Sequence, residues 1–145
     1  MKTIGLTPTV DEIVELWCDD LENGNHLQGR GLLCDITNPE KPKYCCLGRL
    51  SELAIQNGVQ IKKEEIRDNP EINGESYVLY NGRSAVLPQA VKNWAHFKTD
   101  NGLLGDQFAR SLAGLNDEGM PFPEIAKLIR KHKKDLFITE GKESF

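Results

Sequence analysis

Val10, Ile13, Val14, Trp17 and Leu21 recur at the spacing of one helix face, with Asp11, Glu15, Asp19 and Glu22 mainly off it. Thr9 and Glu12, just after Pro8, have the spacing of a capping box, and Asn23-Gly24 closes the segment. Leu32 to Ile36 then reads as a strand, Asn38 to Pro42 breaks it, and Lys43-Tyr44-Cys45 can return as the second arm of a hairpin. Cys46-Leu47 opens a helix with Leu47, Leu50, Leu53 and Ala54 inward, ended by Asn57-Gly58. Val59 to Ile61 predicts a short strand, and Glu64 to Pro70 a charged connection. Tyr77 to Tyr80, Asn81-Gly82 and Arg83 to Val86 form the strongest hairpin signal in the chain.

Leu87-Pro88 starts a helix carrying Val91, Trp94 and Ala95, and Thr99 to Gly105 is a glycine-rich loop. Asp106 is placed to cap a helix with Phe108, Leu112 and Leu115, and Leu115 to Gly119 reads as a polar turn. Phe122-Pro123 opens the last helix, with Ile125, Leu128 and Ile129 inward and a lysine-rich end that complements its dipole. The pattern therefore predicts an α+β fold, a single compact domain over 1–139, with about four to five helices and one or two antiparallel hairpins. Residues 140–145 are predicted to be a flexible tail.

With 145 residues and a formal net charge of −4, the chain lacks the basic balance that duplex nucleic acid selects, although a local basic pocket for a small anion remains open to it. Met1 to Asp11 has no apolar core of a signal peptide, and no run approaches the ~20 apolar residues of a membrane span. A cytoplasmic protein with no membrane contact is the expectation, and its four cysteines, Cys18, Cys34, Cys45 and Cys46, are then reduced thiols. Their spacing, with His26 nearby, is not that of a zinc site, so neither a metal nor another cofactor is expected.

Cys45-Cys46 lies at a strand-to-helix junction. A thiolate there would be stabilised by helix N–H groups and would need a histidine base from His26, His96 or His132; the alternative is two small side chains packed in the core. Gln28-Gly29-Arg30-Gly31 offers a different chemistry, a backbone nest plus a guanidinium able to hold a phosphate or carboxylate, and it lacks the Walker spacing. Arg49 or Arg83 could supply a second cation, Tyr80 or Tyr77 a stacking ring, and Asn116 and Asp117 further contacts. Trp17 could also stack on a base but sits on a core stripe, and Asn116 and Asp117 could equally serve a turn.

Trp17, Gln28-Gly29-Arg30-Gly31-Leu32, Cys45-Cys46-Leu47-Gly48, Leu87-Pro88 through Val91 and Trp94, and Leu112 to Gly119 with Phe122, Ile125, Ala126 and Ile129 together make a pattern, QGxGxL…CCLG…LPxxVxxW…LNDxG. In it the chain resembles a family of small accessory proteins encoded by bacteriophages and prophages. Arg49, where that pattern has an apolar residue, and His96, where it usually has glycine, depart from it. The resemblance implies a viral protein in the cytoplasm of an infected bacterial host, acting against its defences. The leading expectation is that it binds and sequesters a small anionic ligand such as a (cyclic) nucleotide immune signal, without catalytic residues. A homo-oligomer with ligand sites between subunits is compatible with that role. The alternatives are direct inhibition of a host defence protein through the acidic helix at Thr9–Asn23, and a hydrolase or transferase using Cys45 or Cys46.

Overall fold

A computed structural model describes residues 8–138, with the side chain of Ile72 outside that description. The expected tail at 140–145 lies outside the described residues. The helices are α1 (Val10–Asn23), α2 (Cys46–Gln56), α3 (Gln89–Ala95), α4 (Leu112–Asp117), α5 (Phe122–Lys131) and α6 (Lys133–Leu136). The strands are β1 (Leu27–Gln28), β2 (Cys34–Asp35), β3 (Lys43–Tyr44), β4 (Lys63–Asn69) and β5 (Glu75–Tyr80). They form one mixed sheet in the order β1-β3-β2-β5-β4, with β1 parallel to β3 and the other pairs antiparallel. The fold is α+β, as the hydrophobic pattern predicts.

Helix α1 starts where its capping box dictates: Glu12 N donates to Thr9 Oγ1 at 3.1 Å, and Thr9 N to Glu12 Oε1 at 2.8 Å. Its apolar stripe is buried at Ile13, Val14, Trp17, Cys18 and Leu21. The central element is α2, which packs against α1, α3, α4 and β3. From Cys46 to Leu50, Ser51, Leu53 and Ala54 it is buried on nearly every side. The Trp17 ring closes the core by donating its Nε1–H to Cys46 O at 3.0 Å and meeting Phe97 edge-on at 5.6 Å.

Several segments differ from the sequence reading. The strand expected over Leu32 to Ile36 contracts to β2: Leu33 N turns aside to Ser84 O, outside the sheet, while Ile36 N still bonds Ser76 O on β5. Asn81-Gly82 does make a tight turn, with both residues at positive φ and Tyr80 and Arg83 exchanging two hydrogen bonds. The chain then departs rather than continuing as a strand, since Ser84 O serves Leu33 and Leu87 N bonds Asp100 O. The long partner of β5 is instead β4, in the segment that reads as a charged connection. As an edge strand with Ile66 as its one aliphatic residue, β4 carries no alternating pattern.

Val59 to Ile61 is irregular chain, folded back on α2 through Val59 N to Ala54 O. Asp106 caps a turn rather than a helix; α4 begins at Leu112 under Ser111, whose Oγ accepts Gly114 N at 3.0 Å, and runs through Asp117. The single last helix is split into α5 and α6 around His132. His96 ends α3 in the left-handed conformation, φ 58°, which is the backbone reason a glycine suits that position.

Gly48 decides how closely α2 approaches the sheet. A Cβ there would fall 1.8 Å from Leu33 O and 2.7 Å from Leu33 C, both backbone atoms that cannot swing away. Gly48→Ala must push α2 off β2, an overpacking cost at or above the upper end of the usual ~1–3 kcal/mol. Urea unfolding should show a loss of about 3 kcal/mol or no cooperative transition; a variant as stable as the parent would refute this packing.

Candidate functional site

The motif residues, far apart in sequence, converge on the Asn116 carboxamide, which is fully buried. Its Oδ1 accepts from Gln28 Nε2 at 3.0 Å and from Cys46 N at 3.2 Å, and its Nδ2 donates to Gly29 O at 2.8 Å. Gln28 spans onward: Nε2 also donates to Met120 O at 2.7 Å, and Oε1 accepts Phe122 N at 3.1 Å. One buried amide and one half-buried amide thus tie β1, the start of α2, α4 and the start of α5 together. Backbone groups at the α2 and α5 N-termini, which have no partner within their own helices, find one in these side chains.

The same hub uses the N–H groups that an anion nest would need. Gly29 N donates to Tyr44 O at 2.7 Å, and Gly31 N to Asp117 Oδ1 at 2.7 Å. Of the Gln28–Gly31 candidates, Gln28 and Gly29 are therefore scaffold, and Asp117 serves to hold the loop. Arg30 is left facing solvent, its guanidinium against Gly119: a Cβ on Gly119 would lie 2.9 Å from Arg30 Nη2. Gly119 also sits at φ 103°, a conformation that strains any side chain there, while the Arg30 tip could swing away from one.

The chain has six arginines. Arg49 pairs with Asp20, Arg67 with Glu65, Arg83 with Asp100, Arg110 with Asp106 and Arg130 with Glu22 and Glu15. Among the described residues, Arg30 is the one arginine with no carboxylate partner.

The other candidates lie elsewhere. Arg49 is buried, with Nε 2.8 Å from Asp20 Oδ2, Nη2 3.0 Å from Asp20 Oδ1 and its guanidinium 4.6 Å above the Tyr44 ring. The Arg49 charge is thus met by a carboxylate on α1, and Arg49 is not open to a ligand. Tyr80 is fully buried and donates its hydroxyl to Glu52 Oε2 at 2.6 Å, while Lys63 Nζ reaches the same oxygen at 2.8 Å. Tyr77 is buried too, its hydroxyl accepting from Asn69 Nδ2 at 2.8 Å. Trp17 is a core residue. Arg83 is exposed, 3.4 Å from Asp100, and is not gathered with Arg30's neighbours.

The acids of α1 are also largely committed. Asp11 pairs with Lys133, Glu15 and Glu22 with Arg130, and Asp20 with Arg49; Glu12 closes the cap and Asp19 accepts from Asn23.

Both adjacent thiols are buried. Cys45 caps α2 without a side-chain hydrogen bond, and Cys46 is its first residue, with Sγ 3.8 Å from Leu112 O. Burial pushes the Cys45 thiol up to about 11 from an ordinary 9.0, outweighing the N–H groups of Gly48 and Leu47, and pushes Cys46 well above its usual range. Helix-terminal activation is therefore overridden by desolvation. Of the histidines, His26 lies 3.3 Å from Asp20, His96 Nε2 is 3.0 Å from Pro8 O and His132 is 3.3 Å from Asp135. Among the described residues no cluster of three His, Cys, Asp or Glu side chains could hold a metal ion.

Two residues of this region are missed by sequence reasoning. Gly119 reads only as a turn glycine, although its place three residues after Asn116 was a usable signal. Phe108 reads as a helix-face residue but is 72% exposed.

A family profile described as a domain of unknown function, DUF8296, matches residues 10–133. The chain belongs to the DUF8296 family. That span runs from the first residue of α1 to the start of α6 and takes in the whole hub. No curated protein and no solved structure matches the chain. Among the described residues of this DUF8296 protein, no helix is long and apolar enough to cross a membrane.

Asn116→Ala strips partners from Cys46 N and Gly29 O, each buried polar group costing about 1–3 kcal/mol when left unmet, while Gln28 Nε2 keeps Met120 O. Chemical unfolding should show a loss of roughly 3–5 kcal/mol. Cys45 and Cys46 should resist a thiol reagent at pH 8 in the folded protein and react fully in denaturant. Because the folded Cys45 holds its proton more tightly than the unfolded one, its contribution to stability is complete below pH 9 and is lost as pH rises from 9.0 towards about 11. Rapid labelling of either thiol in the native state at pH 8 would overturn this assignment.

Proposed function

We propose that the protein is a phage-encoded accessory protein that binds and sequesters a small anionic ligand of nucleotide type, with Arg30 as the anchor for the ligand's phosphate. The observation that supports this reading is the state of Arg30: an exposed guanidinium with no carboxylate partner among the described residues, on a loop pinned by Asn116 and Asp117. The pinned loop leaves only the Arg30 side chain to be ordered on binding, and the planar guanidinium matches two phosphate oxygens at once. The phage origin and the role against host defence come from the resemblance in the QGxGxL, CCLG and LNDxG segments, as does the placement in the cytoplasm of an infected bacterium.

The two burdens, holding the fold and holding the ligand, divide cleanly in this reading. Gln28, Gly29, Asn116 and Asp117 fix the loop; Arg30 alone projects from it. The thiols take no part.

A thermal-shift series of the full chain against inorganic phosphate, mononucleotides and cyclic dinucleotides tests this. A bound nucleotide at about a hundredfold excess over Kd should stabilise the protein by about 2.7 kcal/mol. Arg30→Ala should abolish the shift while leaving the unliganded melting temperature within a degree or so, as befits an exposed side chain. No shift with any nucleotide, or a full shift in Arg30→Ala, would reject the proposal.

A further inference from the structure

Any ligand with a planar ring needs a surface to stack on, and the fold leaves little choice. Trp17, Tyr77, Tyr80, Trp94, Phe97, Phe122 and Phe137 are buried, and Tyr44 is half-buried under the Arg49 guanidinium. Among the described residues Phe108 is the one exposed aromatic. It is not on a loose loop. Asp106 Oδ1 accepts both Phe108 N at 3.2 Å and Arg110 N at 3.1 Å, and Asp106 Oδ2 holds Arg110 Nε at 2.6 Å. The next residue, Ala109, is kept at φ 54°, a conformation that costs an L-residue energy and persists only where the surroundings enforce it. The turn holds a large apolar ring out in water.

That ring forms one wall of a cleft of about 260 Å³, lined further by Arg110, Ser111, Gly114, Leu115 and Glu118. These lining positions follow one side of α4, six residues or about 9 Å in length. Gly114 brings no side chain into the cleft. Leu115 offers apolar surface, and Glu118 offers carboxylate oxygens able to accept hydroxyl or amino hydrogens. Arg30 does not line the cleft; its guanidinium lies against Gly119, the residue immediately after Glu118, at the opposite end of α4 from Phe108.

We infer that this groove is the ligand site, that its occupant is a phosphorylated aromatic of nucleotide size, and that Phe108 stacks the base while Arg30 takes the phosphate. This deepens the proposed function and rests on it: it replaces the buried tyrosines with Phe108 as the stacking ring and sets the ligand's length by that of α4. Glu118, the C-cap of α4, lies towards the Arg30 end of the groove, within the span that the sugar hydroxyls would occupy.

The test compares AMP, cyclic di-AMP and ribose 5-phosphate by calorimetry on the wild type, Phe108→Ala, Phe108→Trp and Arg30→Ala. Stacking of a base on an aromatic side chain is worth enough that Phe108→Ala should weaken AMP and cyclic di-AMP by about ten- to a hundredfold. Ribose 5-phosphate, which has no base, should bind Phe108→Ala and wild type alike, and Phe108→Trp should retain nucleotide affinity. Arg30→Ala should weaken all three ligands. Wild-type nucleotide affinity in Phe108→Ala, with Arg30→Ala still defective, would overturn the groove and leave the proposed function standing. A wild-type protein that binds none of the three would overturn both.

Discussion

The rest of the structure depends on satisfying one buried carboxamide. Asn116 lies out of water, and its oxygen and nitrogen must find partners inside the protein. They find them on the β1 loop and on the first residue of α2, while Gln28 extends the same chain of bonds to the start of α5. β1, α2 and the consecutive pair α4 and α5, three regions far apart in sequence, are thereby held in one relative position. No buried side-chain nitrogen or oxygen among the described residues is without a partner, so the network is of the fully satisfied kind that specifies a single arrangement.

Two further constraints act on the same helix. Gly48 lets α2 touch the backbone of Leu33, and Arg49 on the next position buries its charge against Asp20 on α1. A helix held by backbone contact on one side and an ion pair on another leaves its N-terminal thiols no room to be reached. The helix terminus has the electrostatics that elsewhere activates cysteine; here the packing that makes the terminus possible also dries it. Surface charge follows the same economy. Asp11, Glu15 and Glu22 of α1 meet Arg130 at the end of α5 and Lys133 on α6, so part of each charged face is neutralised within the chain.

Local signals were legible and long-range ones were not. The cap at Thr9 and Glu12, the apolar stripes of α1, α2 and α5, and the Asn81-Gly82 turn are all written within a few residues, and each stands where the pattern places it. Strand β4 was illegible because its pairing is one-sided and its residues are charged. Phe108, Leu112 and Leu115 share a helical spacing, yet the Asp106 turn and the positive φ at Ala109 interrupt it. The candidate residues themselves stood out by type and spacing. Their roles did not, because Asn116 meets Cys46 across 70 residues and Gln28 meets Phe122 across 94, and no window of sequence contains such a pair. Arg30 was visible as a cation; that its five fellow arginines are all paired is a property of the fold alone.

The reach of those bonds has a consequence for the chain as it emerges from the ribosome. The N–H of Cys46 gains its side-chain acceptor only when Asn116 has been made, and Trp17 meets Phe97 only after most of the chain is out. Until then α2 has only α1, β3 and the Leu33 backbone to pack on, and the faces that meet α3 and α4 stay uncovered. Synthesis rather than the finished fold is thus the stage at which Cys45 and Cys46 are most open to oxidation or mispairing.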